Sequence, residues 1–449
     1  LLFDDPVFGS RVLTIITLSF HVIYATIGVG VPLMIMIAHW VGIKKNDEHY
    51  ILLAKRWARG FVVTVAVGVV TGTAMGLQLS LLWPNFMELA GNVIALPLFL
   101  EVFAFFFEAI FLGIYAYTWD RFEDRRKHFL LLIPVVLGAG ASAVFITVVN
   151  SFMNSPQGFD IVNGQLVNLN PIAAMFTPAM PTKVSHVLAT AYMTVAFLLA
   201  SIAAFKLLKG SNHVYHKKSL YLTMKMGLIF SIAAALIGDL SGKYLAEYQP
   251  EKLAAAEWHF ETEEGAPLLM YGILDGEGEV KYEIKIPYAL SILASGSPTS
   301  EVIGLDQFPE EETPPLVIHY FFDVMVTIGM FMVVLSLVYW TGIKRKWPFV
   351  RSNWYRWLIV LGGPLSVIAI EAGWWMTEVG RQPWILNGIM TIEAAATSSD
   401  YVGLMVILFG GLYLILGIGT IVVLNRMFRK NPVELELEQQ EAIKGGETA

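Results

Sequence analysis

Residues 358–384 read LIVLGGPLSVIAIEAGWWMTEVGRQPW. The stretch belongs to an apolar segment at 357–377, long enough to cross a bilayer core of roughly 30 Å. It then runs out into Glu378, Gly380, Arg381 and a Gln-Pro-Trp turn framed by Trp374, Trp375 and Trp384. A membrane interior penalises both charges, and a loop in water has no use for three tryptophans. The stretch therefore reads as a membrane helix whose end carries chemistry.

Working outward, comparable apolar runs lie at 12–43, 58–82, 91–118, 129–150, 182–205, 219–242, 316–340 and 402–424. The chain is 56% hydrophobic and 15% charged, with a mean hydropathy of +0.61. This is far from the balance of a water-soluble domain. The expected fold is all-α, a polytopic membrane protein of about nine transmembrane helices. The first run is too long for a cleaved leader and is expected to serve as the first span.

Basic residues cluster in the connections at 44–59, 121–127, 206–218, 344–356 and 426–430, whereas 83–90 and 151–181 contain none. By the bias of Lys and Arg toward the cytoplasm, the N-terminus is expected outside and the C-terminus inside. The expected organisation is six helices in 1–242, a long outer loop at 243–315, three helices in 316–426 and a cytoplasmic tail at 427–449. The acidic tail VELELEQQE is expected to be solvated and disordered. Within the loop, PEKLAAAE follows helical composition from Pro250 to Glu257, and the later Gly- and Pro-rich part is expected to be irregular. With no cysteine, thiolate metal sites, iron–sulfur clusters and covalent haem attachment through CxxCH are excluded.

Ionisable groups inside spans are costly, about 2.5–3.5 kcal/mol each, and ask for a function. His21, Glu101, His186, Asp239, Met325 and Glu378 all fall in the outer half of the expected bilayer. His186 lies about 8 Å inside the end of its helix, at a depth Met325 can approach, and His with Met is an axial pair for a low-spin haem. His319 is the rival to Met325. His39 is left as a buried hydrogen-bonding histidine, and Gly68, Gly72 and Gly76 as a close-packing stripe. Glu101 and Glu108, seven apart in LEVFAFFFEAIF, share a helix face, and two carboxylates in so aromatic a helix suit a proton path or a contact to a redox centre.

GWWMTEVGRQPW resembles the GWxxxExGRQPW signature of cytochrome bd-type quinol oxidase subunit I, and SGKYLAEYQPEKLAAAEW resembles that family's quinol-binding loop. The layout of spans and loop matches over almost the whole chain, on the short-loop branch of the family. The resemblance implies a quinol oxidase that passes electrons from quinol to O2 through a low-spin haem b, a high-spin haem b and a haem d or a b-type replacement. It implies that His186 and Met325 ligate the low-spin haem, that His21 and Glu378 ligate the high-spin pair, and that Glu101 lies beside the haem of His21. Arg381 would hold a propionate, Trp374 would pack on a porphyrin, and Glu108 would lead protons inward. Lys252 and Glu257, about 140° apart on a helix, would flank a groove for quinol. The expected partners are a second large membrane subunit (subunit II), with room for a small single-span one, in the cell membrane of a prokaryote; nucleic acid is not among them. One departure is Asp323, where the family carries a basic residue two before the methionine. The competing expectation is a proton- or cation-coupled transporter relaying ions through Glu101, Glu108, Asp239 and Glu371.

Overall fold

Some of the long apolar runs are opened as helices by the residues at their start. Asp5 accepts from the Val7 amide at 2.9 Å with Pro6 opening the helix, and Asp47 caps the next from the His49 amide at 3.0 Å. A computed structural model describes residues 5–275 and 279–438. Among the described residues nine helices are long and apolar enough to cross a membrane: Pro6–Lys45, Glu48–Leu82, Pro84–Tyr117, Arg125–Asn154, Met180–Leu208, Val214–Tyr248, Ile318–Lys344, Asn353–Val379 and Val402–Lys430. They are numbered here as spans one to nine. Successive spans alternate in direction, so the connection 249–317 and the short basic connections lie at opposite ends, called the loop end and the basic end.

The first and second spans pack together, as do the third and fourth, and the fifth to eighth form a second group. The first span joins the groups through the fifth, and the ninth lies against the first and second. Close approach decides the third–fourth contact: a side-chain carbon on Gly138 would come within 2.9 Å of both the Ala104 carbonyl oxygen and the Glu108 amide. Apolar cores fill the basic end around Met34, Leu53, Phe61 and Tyr115, and the loop end around Leu13, Trp83, Phe86 and Phe152. A third core around Phe197, Met224, Met332 and Ile359 holds the fifth to eighth spans. These cores fix the helices whose ends and faces carry the polar groups.

The long loop contains the helix Pro250–Glu257, with Pro250 at its first turn. Its later part is not irregular: Leu268–Met270 pairs antiparallel with Ile284–Ile286, Glu263–Glu264 with Glu301–Val302, and a helix spans Ala289–Ser295. The tail expectation also needs correction. Val433 is 4% exposed in the basic-end core, and Glu436 pairs with both Arg56 and Arg59, because Arg56 is itself buried and needs a counter-charge. The expectation for 439–449 lies outside the described residues.

Candidate functional site

The end of the eighth span gathers charge. Glu378 and Arg381 meet across one helical turn, Arg381 Nη2 donating to Glu378 Oε2 at 2.8 Å, and Asn150 Nδ2 donates to Glu378 Oε1 at 2.5 Å. Lys183 Nζ donates to Asn150 Oδ1 at 3.1 Å, and Lys252 Nζ to the Thr377 carbonyl at 3.0 Å. Three cationic side chains thus converge on one carboxylate. Arg381 is buried, yet its Nε and Nη1 have no hydrogen-bond partner. Gly380 is not in the left-handed conformation that a helix-ending glycine often adopts (φ −72°); it is small because a side-chain carbon there would stand 2.8 Å from Lys252 Cε. Trp375 is tied by its Nε1 to Ser19 Oγ at 2.7 Å, and Trp374 is half-buried beside it.

The histidines and methionine face glycines on neighbouring spans. A side-chain carbon on Gly72 would lie 3.3 Å from His21 Cε1, one on Gly238 3.6 Å from His186 Cε1, and one on Gly373 3.0 Å from Met325 Sδ. Gly72, expected only to bring helices together, thus stands against an imidazole. His21 Nδ1 lies 2.9 Å from Thr71 Oγ1, whose own proton goes to the Val67 or Gly68 carbonyl. Thr71 therefore accepts from Nδ1–H and leaves the lone pair of Nε2 free, the arrangement that orients a metal-binding histidine. His186 Nδ1 is buried without a partner. His319 differs: Nδ1 donates to the Ala256 carbonyl at 2.8 Å, and Nε2 lies 3.1 Å from the Tyr271 carbonyl. Both nitrogens of His319 are thus engaged with backbone carbonyls of the loop.

Glu108 is 4% exposed with Oε1 unpartnered, and Glu101 accepts from Ser142 Oγ at 2.9 Å. The phenyl rings between them do not line that face: Phe103, Phe106 and Phe107 are 61%, 59% and 43% exposed. Glu371 is buried, whereas Asp239 is half-exposed and paired with Lys243 at 2.5 Å. His39 bonds Tyr115 Oη at 2.9 Å through Nδ1.

On the loop helix Pro250–Glu257, Lys252 and Glu257 are 3% and 1% exposed, so they do not flank an open groove. Lys252 points to the charge cluster, and burial with the nearby Arg381 cation lowers its ammonium to about 7. Glu257 faces the seventh span; burial first, then the Asp323 charge, raise its carboxyl well above 4.5. Neither of its carboxylate oxygens makes a well-formed hydrogen bond. Asp323 itself accepts from the Tyr271 amide at 2.6 Å, a role a donor-only lysine or arginine could not fill. Sequence reasoning missed Lys183 and Asn150. A signal existed for the first, since Lys183 is a basic residue at the loop end of a span, three positions before His186.

Residues 10–432 match the family model described as cytochrome bd terminal oxidase subunit I. The chain is 41% identical to a putative cytochrome bd menaquinol oxidase subunit I of Bacillus subtilis, over 95% of this chain and 97% of the relative. It is 33% identical to the cytochrome bd ubiquinol oxidase subunit 1 of the same organism, over 89% of each. A solved structure of the bd oxidase from Geobacillus thermodenitrificans superposes with a TM-score of 0.93 at 67% identity, covering 96% of this chain and 99% of that one. These relatives give no support to the transporter alternative, and they agree with a multi-pass, haem-carrying bacterial membrane oxidoreductase. The chain belongs to the cytochrome bd terminal oxidase subunit I family.

Proposed function

We propose that this subunit oxidises a membrane quinol at the loop helix and holds, in the loop-end half of the bundle, the haems at which O2 is reduced to water. One observation carries the reading: Lys183, Lys252 and Arg381 gather around the Glu378 carboxylate, Arg381 bonded to it directly and Lys183 through Asn150, at a site where burial disfavours the charged ammonium of Lys252 unless anions are added. Buried charge without a partner is strongly unfavourable, and haem propionates are anions of the kind that would balance it, with the idle Nε and Nη1 of Arg381 as donors.

The donor set fits haem. His186 and Met325 would hold the low-spin haem b, the His186 imidazole facing Gly238 and the Met325 sulfur facing Gly373. His21, with Nε2 free, would hold one haem of the high-spin pair and Glu378 the other, these being haem b and haem d or its b-type replacement. Both Glu378 oxygens already accept a hydrogen bond, so iron would share an oxygen through its remaining lone pair. Bound haem supplies single-electron transfer and a centre for oxygen reduction. Glu101 would stand beside the His21 haem, and Trp374 would pack on a porphyrin face.

Glu257 is suited to take a quinol hydroxyl proton, being enclosed, unsatisfied and outside the spans. Glu108 and Glu101, on one face of the third span, would pass protons from the basic end toward the oxygen site. With the basic end cytoplasmic, quinol protons leave outside and consumed protons come from inside, which separates charge without pumping. A second large membrane subunit, and a small single-span one, would complete the complex. In the purified complex, Glu257→Ala should cut quinol turnover at least about tenfold, while dithionite-reduced protein still binds oxygen. Quinol turnover at the parent rate would refute the site.

A further inference from the structure

His319, Asp323 and Thr327 are four residues apart and so share one face at the loop end of the seventh span, with Tyr320 beside them. All four reach the same two residues of the loop. His319 Nε2 lies 3.1 Å from the Tyr271 carbonyl, Asp323 Oδ2 accepts from the Tyr271 amide at 2.6 Å, Thr327 Oγ1 is 2.6 Å from Tyr271 Oη, and Tyr320 Oη donates to the Gly272 carbonyl at 3.3 Å. The other nitrogen of His319 donates to the carbonyl of Ala256, the residue before Glu257. Trp258, the residue after it, stacks on the His319 ring at 4.0 Å and donates to the Leu316 carbonyl at 2.8 Å.

Two features make this contact more than ordinary packing. Tyr271 has φ 59°, a left-handed conformation that a bulky side chain adopts only when its surroundings hold it there. The hairpin of Leu268–Met270 and Ile284–Ile286 is two-stranded, and such a unit is marginal by itself, so its place depends on what it is fastened to. The backbone carbonyl before Glu257, the ring of the residue after it, and the residue that follows the first strand of the hairpin are all fastened to the same imidazole.

We propose that His319 and Asp323 form a positioning clamp, which seats the loop helix and the hairpin together on the seventh span and so sets where the Glu257 carboxylate meets quinol. Neither residue is assigned a contact with quinol. The proposal rests on the reading of Lys252 and Glu257 as the quinol site.

The test uses the purified haem-loaded complex, with quinol kinetics, oxygen uptake driven by an artificial reductant, and amide hydrogen exchange across 268–274. Asp323→Leu removes the acceptor for the Tyr271 amide. It should raise the quinol KM about tenfold and speed exchange at 268–274 by a similar factor, with reductant-driven uptake unchanged. Asp323→Asn keeps an oxygen acceptor and should stay within about threefold of the parent in both. Thr327→Val, which removes only the phenol contact, should move KM and exchange in the same direction but less, and decides the matter if Asp323→Leu does not assemble. Parent-like KM and exchange in Asp323→Leu overturn the clamp, as does an Asp323→Asn variant as impaired as Asp323→Leu. Failure of the quinol-site reading shows separately, as unimpaired quinol turnover in Glu257→Ala.

Discussion

Placing a methyl group at Gly373 tests the assignment of Met325 without touching the methionine. The added carbon would stand 3.0 Å from Met325 Sδ and 3.8 Å from its Cγ. Ordinary heavy-atom contacts are about 3.5–4.0 Å, so the sulfur must retreat by roughly 0.5 Å or more. Overpacking of this kind costs about 1–3 kcal/mol, which disfavours the parent sulfur position by about 5- to 150-fold. The matched control is Gly238→Ala, whose new carbon would lie 3.6 Å from His186 Cε1, an ordinary contact. In reduced-minus-oxidised spectra, with total haem measured in parallel, Gly373→Ala should lose most of the sharp low-spin band and Gly238→Ala should keep it. Met325→Leu should match the first, and His319→Ala should keep the band because neither ring nitrogen is free for iron. An unchanged band in Gly373→Ala, or equal loss in both glycine variants, refutes the reasoning.

Three further outcomes are expected. Glu378→Ala leaves Lys183, Lys252 and Arg381 without their counter-charge, at a cost of about 3–5 kcal/mol; haem analysis and oxygen uptake should show one high-spin haem and oxygen reduction lost with the low-spin band kept. Glu378→Gln should rescue only in part and Arg381→Lys should also be impaired, whereas full haem content in Glu378→Ala would make the residue purely structural. Because burial and Asp323 raise the Glu257 carboxyl, and a base must be ionised to accept a proton, quinol kcat/KM should rise with pH through a limb well above 4.5; an acid limb at the ordinary carboxylate position would contradict this. Glu436→Ala should free the tail helix from Arg56 and Arg59, seen as faster trypsin cleavage after Arg429 or Lys430 and a lower unfolding temperature.

The membrane helices were legible because each is a long apolar run, and the loop helix because Pro250 opens an Ala-rich octet ending at Glu257. The carboxylate and arginine beyond the eighth span were legible as a motif. What converges on them was not: Lys183 and Asn150 lie far away in the chain, and only helix packing brings them to Glu378. Hydrogen-bond direction was hidden too, since two histidines of similar depth part company once Thr71 frees Nε2 of His21 and two carbonyls occupy His319. The Phe-rich run of the third span misled because its rings point out of the bundle, which composition alone does not reveal. The short strands of the loop escaped notice because two- and three-residue pairings carry almost no periodicity.

The ion pair between Arg56 and Glu436 joins residues 380 positions apart. At about 5–20 residues per second, the ribosome needs on the order of 20–80 s to deliver the second partner after the first. For that interval the second span is already made while its arginine has no carboxylate, and the groove that later accepts Val433 stays open. Closure of the basic end therefore waits until the ninth span has been made, and it reports that this span is in place. A nascent chain stalled before Glu436 would carry every residue proposed here for quinol and haem, on a bundle not yet fastened at that end.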